Sequence, residues 1–299
     1  MSAVREIRRR IRSVKNMAQI TKAMEAVSAS KMRRALANVM ASRAYSQRMW
    51  DVINDLVDRY TPPTGRALHP LLVSPPTCCT VALVLVTADR GLCGSYNVEI
   101  IREGLRFIRE QQAQGTAVKL LTVGQRGRDY MVRLGAHVVA ERVRLSDRPS
   151  LMDTVPISRV LLEGWERGEF EAVYLAYTNF INVLNRKPVV QKLLPLTSFS
   201  AQVEGSKIDY LYEPDPLTVL SQLLPRFVEV EVYQAILEAL ASEHSARMVS
   251  MRNATDNAND LTKELTLSYN KARQAAITKE ITELTGGAAA LEESRQRRA

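Results

Sequence analysis

Residues Val4–Leu36 read VREIRRRIRSVKNMAQITKAMEAVSASKMRRAL. Val4, Ile7, Ile11, Val14, Ala18 and Thr21 fall at alternating steps of three and four. Met32, Ala35 and Val39 continue the row once Glu25 and Ser28 are counted as its polar members. This is heptad spacing, which predicts a helix with a narrow seam for a partner helix. Small and polar seam members make weak permanent glue. They suit a helix pair that other surfaces must also touch.

Outward from this stretch, the helix breakers are confined to the middle of the 299-residue chain. All twelve Pro and eleven of thirteen Gly lie within 62–225. Each breaker-free flank, about 60 residues, would make a helix of about 90 Å. That length predicts a coiled coil or helical stalk. In the C-terminal flank, from Leu220 to Leu284, Met251, Ala258, Leu265 and Ala272 repeat every seven, with Ala254, Leu261 and Ala275 between them. Its alanines permit close helix approach. Pro225 is expected to start or kink this helix. Gly286-Gly287 is expected to stop or soften it, and the residues through Arg295, Arg297 and Arg298 to fray.

The middle alternates between strand and helix patterns. Cys79–Thr87 (CTVALVLVT) reads as a strand buried on both faces. Val118–Val123, His137–Ala140 and Phe170–Thr178 read as further strands, and Val189–Leu196 as an edge strand bounded by Pro188 and Pro195. Val98–Gln112, Gln125–Leu134 and Ser158–Gly168 read as helices. This order predicts an α/β fold, a central Rossmann-like domain with a mainly parallel sheet. With it goes a long antiparallel coiled coil of the N- and C-terminal helices. The expected division is 1–61 as N-terminal helix, 62–215 as α/β foot, and 216–299 as the C-terminal helix pairing with 1–61.

Charge is localised. The chain has 41 basic and 32 acidic side chains, a net +9. Twelve basic against two acidic residues give positions 1–50 a charge of +10 and leave −1 for the rest. A generally basic protein is excluded. Cys78, Cys79 and Cys93 form no C-x-x-C pair and no disulfide framework, which points to a reducing compartment. No apolar run is long enough to span a membrane, and no apolar stretch follows the basic N-terminus as in a secretory signal. Glu6 and the continuing periodicity read as a mature helix rather than a transit peptide.

Motifs that carry chemistry are few. The loop Ala88-Asp89-Arg90-Gly91-Leu92-Cys93-Gly94 follows a strand but matches neither G-x-G-x-x-G nor G-x-x-x-x-G-K-[ST], and Gly124-Gln125-Arg126-Gly127 matches neither. Asp89, Arg90, Gly91 and Gly94 read as a tight structural turn, or as a loop facing a partner. His69, His137 and His244 lack metal-ligand spacing. Satisfied structural roles fit His69 and His137, the latter in a strand, and a surface or packing role fits His244. Cys93 lies near a helix N-terminus that would stabilise a thiolate, but it lacks a base or resolving cysteine. No catalytic residue, cofactor site or metal site is assigned. Arg8, Arg9 and Arg10 sit around a helix whose first neighbouring aromatic is Tyr45. They read as a solvated face or a cationic shaft matched to an acidic partner, and the interleaved aromatics that would support nucleic-acid binding are lacking.

Three blocks carry a family resemblance: Val4–Leu36, Thr87–Asn97 (TADRGLCGSYN) and Ala241–Leu291 (ASEHSARMVSMRNATDNANDLTKELTLSYNKARQAAITKEITELTGGAAAL). In order, spacing and total length the chain resembles the γ subunit of F-type ATP synthase. The resemblance implies a rotor without a catalytic site. Its antiparallel coil stands in the bore of an α3β3 hexamer, and its α/β foot meets the ε subunit and the membrane c-ring. Rotation cycles the β sites through different nucleotide affinities, which requires unequal contact with the β conformations.

By motif position, Met24 in ITKAM resembles the residue facing the acidic lever loops of β. Arg247, with Gln274 and Thr278, resembles a polar set beside it. Arg273 and Gln274 resemble the pair that catches a β loop, with Glu283 one turn on. Tyr210 and Tyr212 in YLYEPDP resemble foot residues that touch the c-ring or ε. The stretch Lys192–Tyr212 lacks the insertion and Cys pair of chloroplast relatives. That implies a bacterial form, peripheral on the cytoplasmic face of the plasma membrane, with no direct membrane insertion and no nucleic-acid partner. Two other readings stay open from residues alone. One is a nucleotide-dependent α/β enzyme with helical dimerisation arms. The other is a basic-helix nucleic-acid binder.

Overall fold

The computed structural model describes residues 2–60, 68–73, 79–196 and 210–296; Cys78, Arg297 and Arg298 lie outside them. In chain order the elements are α1 (Ser2–Tyr60), a short 3-10 turn (Pro70–Leu72), β1 (Thr80–Val86), α2 (Tyr96–Ala113), β2 (Ala117–Val123), α3 (Gln125–Arg133), β3 (Val138–Arg142), α4 (Leu151–Glu166), β4 (Ala172–Phe180), β5 (Arg186–Leu194) and α5 (Pro216–Gln296). They form two compact units, one of residues 1–27 with 249–299 and one from Ser28–Met248, and both long helices contribute to each.

In the first unit, Thr21 Oγ1 lies 2.7 Å from Thr255 Oγ1, and Arg252 Nε donates to Glu25 at 2.8 Å. Moving forward on α1 therefore means moving backward on α5, so the pair is antiparallel. The expected α1 seam is the one found. Val4, Ile7, Ile11, Val14 and Thr21 are partly covered and Ala18 is buried, while the positions between Val4 and Thr21 are exposed. On α5 the seven-residue row Met251, Ala258, Leu265, Ala272 is covered. Leu261 and Ala275, expected between them, are exposed. Thr255, Thr262, Tyr269 and Ala276 take those places. The threonines can do so because their hydroxyls donate to carbonyls one turn back: Thr255 to Met251 at 2.9 Å and Thr262 to Ala258 at 2.8 Å.

The second unit is built on a five-stranded sheet of order β3-β2-β1-β4-β5. β1 pairs in parallel with β2 and β4, β2 in parallel with β3, and β4 antiparallel with β5. The central strand is buried on both faces, as its continuous apolar run from Val81 to Val86 predicts. Leu83 and Leu85 pack with Ile100 and Ile101 of α2 and Met131 of α3. Ala82, Val84 and Val86 turn to the other face. There they meet Leu161 and Trp165 of α4, Ile53 and Leu56 of α1, and Leu224, Phe227 and Val228 of α5. The C-terminal part of α1 and the N-terminal part of α5 are therefore core elements of this unit. β5 is the expected edge strand.

Four expectations are corrected. α5 starts at Pro216 and runs through Pro225 without a break. Asp215 caps its start, accepting from the amides of Leu217 and Thr218 at 3.0 and 2.9 Å, and Pro216 supplies a preset φ. Burial of Leu224, Phe227 and Val228 outweighs the one backbone bond lost at Pro225. Gly286-Gly287 does not end the helix, which continues to Gln296 through the helix-favouring run from Ala288. α4 begins at Leu151 rather than Ser158. Its start is set by the Asp153 carboxylate, which accepts from Ser150 N and Oγ at 2.8 Å each, and Pro156 is tolerated inside. His137 precedes β3; its carbonyl accepts from Leu120 N at 3.1 Å.

Candidate functional site

In the Ser28–Met248 unit the loop from Thr87 to Asn97 is braced from three sides. Asp89 Oδ1 accepts from Gln125 N at 2.9 Å at the start of α3. Asn97 Oδ1 accepts from Ala88 N at 2.9 Å, and Asn97 Nδ2 donates to Cys93 Sγ at 3.2 Å. Arg247 donates to the Gly91 carbonyl through Nε at 3.3 Å and Nη2 at 3.2 Å. Leu92 and Gly94 take left-handed backbone, φ 63° and 59°, which makes the turn tight and explains glycine at 94. Gly124 answers a different need. A Cβ there would lie 2.1 Å from the Thr87 carbonyl oxygen, so the end of β1 and the β2–α3 turn touch backbone to backbone. Both glycine-containing loops thus serve close packing.

Arg247 anchors a charged cluster. Its Nη2 is 2.7 Å from Glu243 Oε1, with side chains only 11% and 14% exposed. Burial raises the Glu243 carboxyl, opposed by the Arg247 charge. His244 Nδ1 is 3.4 Å from Arg247 Nη1, and burial first, then Arg247, pushes its pKa down to about 4. His244 is therefore a packed, neutral histidine. Burial would raise Asp147, yet its 2.6 Å bond from Lys31 and the surrounding charges hold it below the usual carboxylate range. Cys93 is buried and its thiol is pushed up by burial, opposite to what a nucleophile needs. His69 Nδ1 accepts from Leu71 N at 3.2 Å, a satisfied structural role.

A cavity of about 520 Å3 lies at the C-terminal ends of β1 and β2, where α/β folds bind nucleotides. Asp89, Asp147 and Glu243 line it beside Arg90 and Arg144. Its three carboxylates outnumber its two guanidiniums, and the amides of Ala88, Gln125 and Gly127 are bonded internally, so the lining disfavours a phosphate.

The remaining residues singled out by motif fall in both units. In the paired helices, Met24 is partly covered and comes level with Arg252. Gln274 and Thr278 lie more than 20 residues further along α5, about 30 Å at the helical rise, so they are not brought beside it. Arg273, Gln274, Thr278 and Glu283 are exposed, and Glu283 stands 3.7 Å from Lys279. Arg8, Arg9 and Arg10 are exposed, and Arg10 pairs loosely with Glu6 at 3.4 Å. The same register carries α5 past the start of α1 beyond about Ala276, and Ile277, Ile281 and Leu284 are 48%, 56% and 74% exposed there. This bare apolar row was hidden in the sequence within a heptad pattern. In the other unit, the Tyr210 and Tyr212 rings are 6.1 Å apart, and the Tyr212 hydroxyl donates to Asp55 at 3.0 Å. Burial and that carboxylate push Tyr212 up to about 12.

Comparison with known proteins agrees with this architecture. A family model described as ATP synthase matches residues 3–291. The ATP synthase gamma chain of Roseiflexus sp. RS-1 is 52% identical over 293 residues, covering 98% of this chain and 100% of the relative. That of Herpetosiphon aurantiacus is 49% identical over 296 residues, covering 97% and 99%. A chain in the central stalk and c-ring structure of Tetrahymena thermophila mitochondrial ATP synthase matches with TM-score 0.60 at 25% identity, over 79% of this chain and 99% of that one. One from Euglena gracilis mitochondrial ATP synthase shares the fold, with TM-score 0.67 at 19% identity over 98% and 96%. By full-length identity, fold and motif order, this chain belongs to the ATP synthase gamma chain family.

Proposed function

We propose that the chain is the central rotor shaft of a proton-transporting ATP synthase. It couples rotation of the membrane c-ring to conformational cycling of the β catalytic sites. The observation that carries this reading is the antiparallel pairing of helices from opposite chain ends, whose outer faces stay exposed. A shaft works by touching each β conformation unequally, so its free energy must differ between their states as it turns. The exposed side chains provide for this: Arg8, Arg9 and Arg10 give a cationic collar around α1, and Arg273, Gln274, Thr278 and Glu283 a polar stretch of α5. Ile277, Ile281 and Leu284 form a one-sided apolar row suited to a surrounding sleeve. Linkage is reciprocal, so nucleotide binding in β torques the same surface.

The partners are the α3β3 hexamer, ε and the c-ring, with Met24 toward the hexamer, Arg247 acting there through the Asp89–Gly94 loop it holds, and Tyr210 and Tyr212 toward c-ring or ε. The helices of 1–61 and 216–299 act with the 62–215 foot. The chain contributes no catalytic group; bond making belongs to β. It is peripheral on the cytoplasmic face of a bacterial plasma membrane. No helix among the described residues is long and apolar enough to cross a membrane. The test is reconstitution with α and β subunits and a probe attached at Tyr210→Cys. ATP-driven unidirectional rotation of the probe is expected. A chain that stays outside the assembled ATPase, or a probe that stays still during hydrolysis, overturns the reading.

A further inference from the structure

In the Ser28–Met248 unit, a cavity of about 510 Å3 opens between α1, α5 and the end of β5, away from the loop after β1. Glu231, Gln234 and Glu238 line it from one face of α5, at steps of three and four. Gln234 and Glu238 are 8% and 5% exposed. Glu238 Oε1 accepts three hydrogen bonds, from Arg43 Nε at 3.0 Å, Arg43 Nη2 at 2.9 Å and Gln234 Nε2 at 2.9 Å. Among the described residues nothing donates to the second Glu238 oxygen or to Gln234 Oε1. Two buried acceptors without donors on one helix face are uncommon and costly. The opposite wall is aromatic: Trp50 stacks on Phe227 with centroids 5.0 Å apart, and Tyr177 lines the same space.

Orphan oxygens and carboxylates beside ring faces match one ligand chemistry. A primary alkylammonium supplies N–H donors to the oxygens and positive charge to Glu231 and Glu238, and lays its methylenes along the rings. A metal ion fits less well, because among the described residues no group of three or more His, Cys, Asp or Glu is placed to hold one. We propose that this cavity binds a small aliphatic diamine or polyamine. Its ammonium sits between Glu238 Oε2 and Gln234 Oε1, and its chain lies along Trp50 and Phe227. Arg43 holds the other Glu238 oxygen, so the ligand meets only the free one. Lys192 lies at the rim as a competing cation.

This inference is independent of the rotor reading and is tested on the full chain by calorimetric titration with putrescine and with spermidine. Saturable binding at one site is expected, with no heat from 1,4-butanediol. Gln234→Leu should weaken binding about tenfold or more, the loss of one charge-assisted hydrogen bond, at an unchanged melting temperature. Should that variant not fold, exposed Lys192→Gln serves in its place and should tighten binding. Absence of saturable binding up to millimolar amine, equal affinity in a folded Gln234→Leu chain, or weaker binding by Lys192→Gln overturns the proposal. So does complete displacement by equimolar KCl, which would identify an inorganic cation.

Discussion

Arg247→Met separates two roles that one guanidinium performs. The side chain pairs with Glu243 at 2.7 Å where both are mostly buried, and it holds the Gly91 carbonyl by two bonds. Removing one member of a buried pair strands the other charge, at about 3–5 kcal/mol. Losing the bonds to Gly91 adds about 1 kcal/mol. The expected loss is therefore about 4 kcal/mol or more near neutral pH. The cost should depend on pH. Glu243 already has a folded pKa above its ordinary 4.5, so the folded state binds this proton more tightly than the unfolded state. Its contribution to stability falls as pH rises from 4.5 through the folded value. Without Arg247 the folded value climbs further. The deficit should be smallest in mild acid, where Glu243 takes a proton, and largest above neutrality.

Urea unfolding followed by tryptophan fluorescence reads this directly, because the chain has two Trp, Trp50 and Trp165, both in the Ser28–Met248 unit. The double variant Arg247→Met/Glu243→Met removes both charges and should recover most of the loss, leaving about the cost of the freed Gly91 carbonyl. A single variant that loses under about 1 kcal/mol, or a double variant whose loss is the sum of the two singles, refutes the buried-pair reasoning.

Gly124→Ala should destabilise the same unit by about 3 kcal/mol or more, since its φ of 94° is left-handed and a Cβ meets the Thr87 carbonyl at 2.1 Å; fluorescence-detected melting checks it. His244 is held neutral with a pKa of about 4 against 6.5 unfolded, so its contribution is present above 6.5 and lost as pH falls toward 4, about 3 kcal/mol in all. His244→Gln should flatten that part of the pH–stability curve. Reversing Arg8, Arg9 and Arg10 to Glu should weaken assembly or proton-coupled ATP synthesis. The tryptophan-detected unfolding of Ser28–Met248 should stay as in the parent chain, because these side chains are exposed in the other unit.

The backbone plan was legible because it follows from hydrophobic period and breaker placement. The α1 seam could be read off residue by residue, and β1 announced its double burial. The α5 seam was misread by one position at Leu261 and Ala275, though not at the partly covered Ala254, because apolarity was taken as its mark. Leu261 is apolar but 44% exposed, whereas Thr262 enters the seam with its hydroxyl satisfied one turn back. The start of α4 was missed by seven residues: its first turns carry Pro156, and the cap that begins the helix lies in the Ser150–Asp153 pair. Sequence could not show that Met49–Val57 and Leu220–Ala239 close the sheet's second face, because a helix stripe does not state whether it meets a helix or a sheet.

The site residues divide by what their side chains already hold. Arg273, Gln274, Thr278 and the Arg8–Arg10 run reach solvent, so a partner can meet them at little desolvation cost. Arg247 is mostly enclosed and bound to Glu243 and Gly91, so pulling it toward a partner would strand a buried carboxylate and release the loop. Of the positions singled out by motif, some thus stand ready for contact while Arg247 sets the shape of its surroundings. Arg247 can act on a partner chiefly by fixing where the Asp89–Gly94 loop stands. Charge reversal at Arg8–Arg10 and pair removal at Arg247 should therefore leave opposite signatures: lost assembly with intact stability in the first, lost stability preceding any lost assembly in the second.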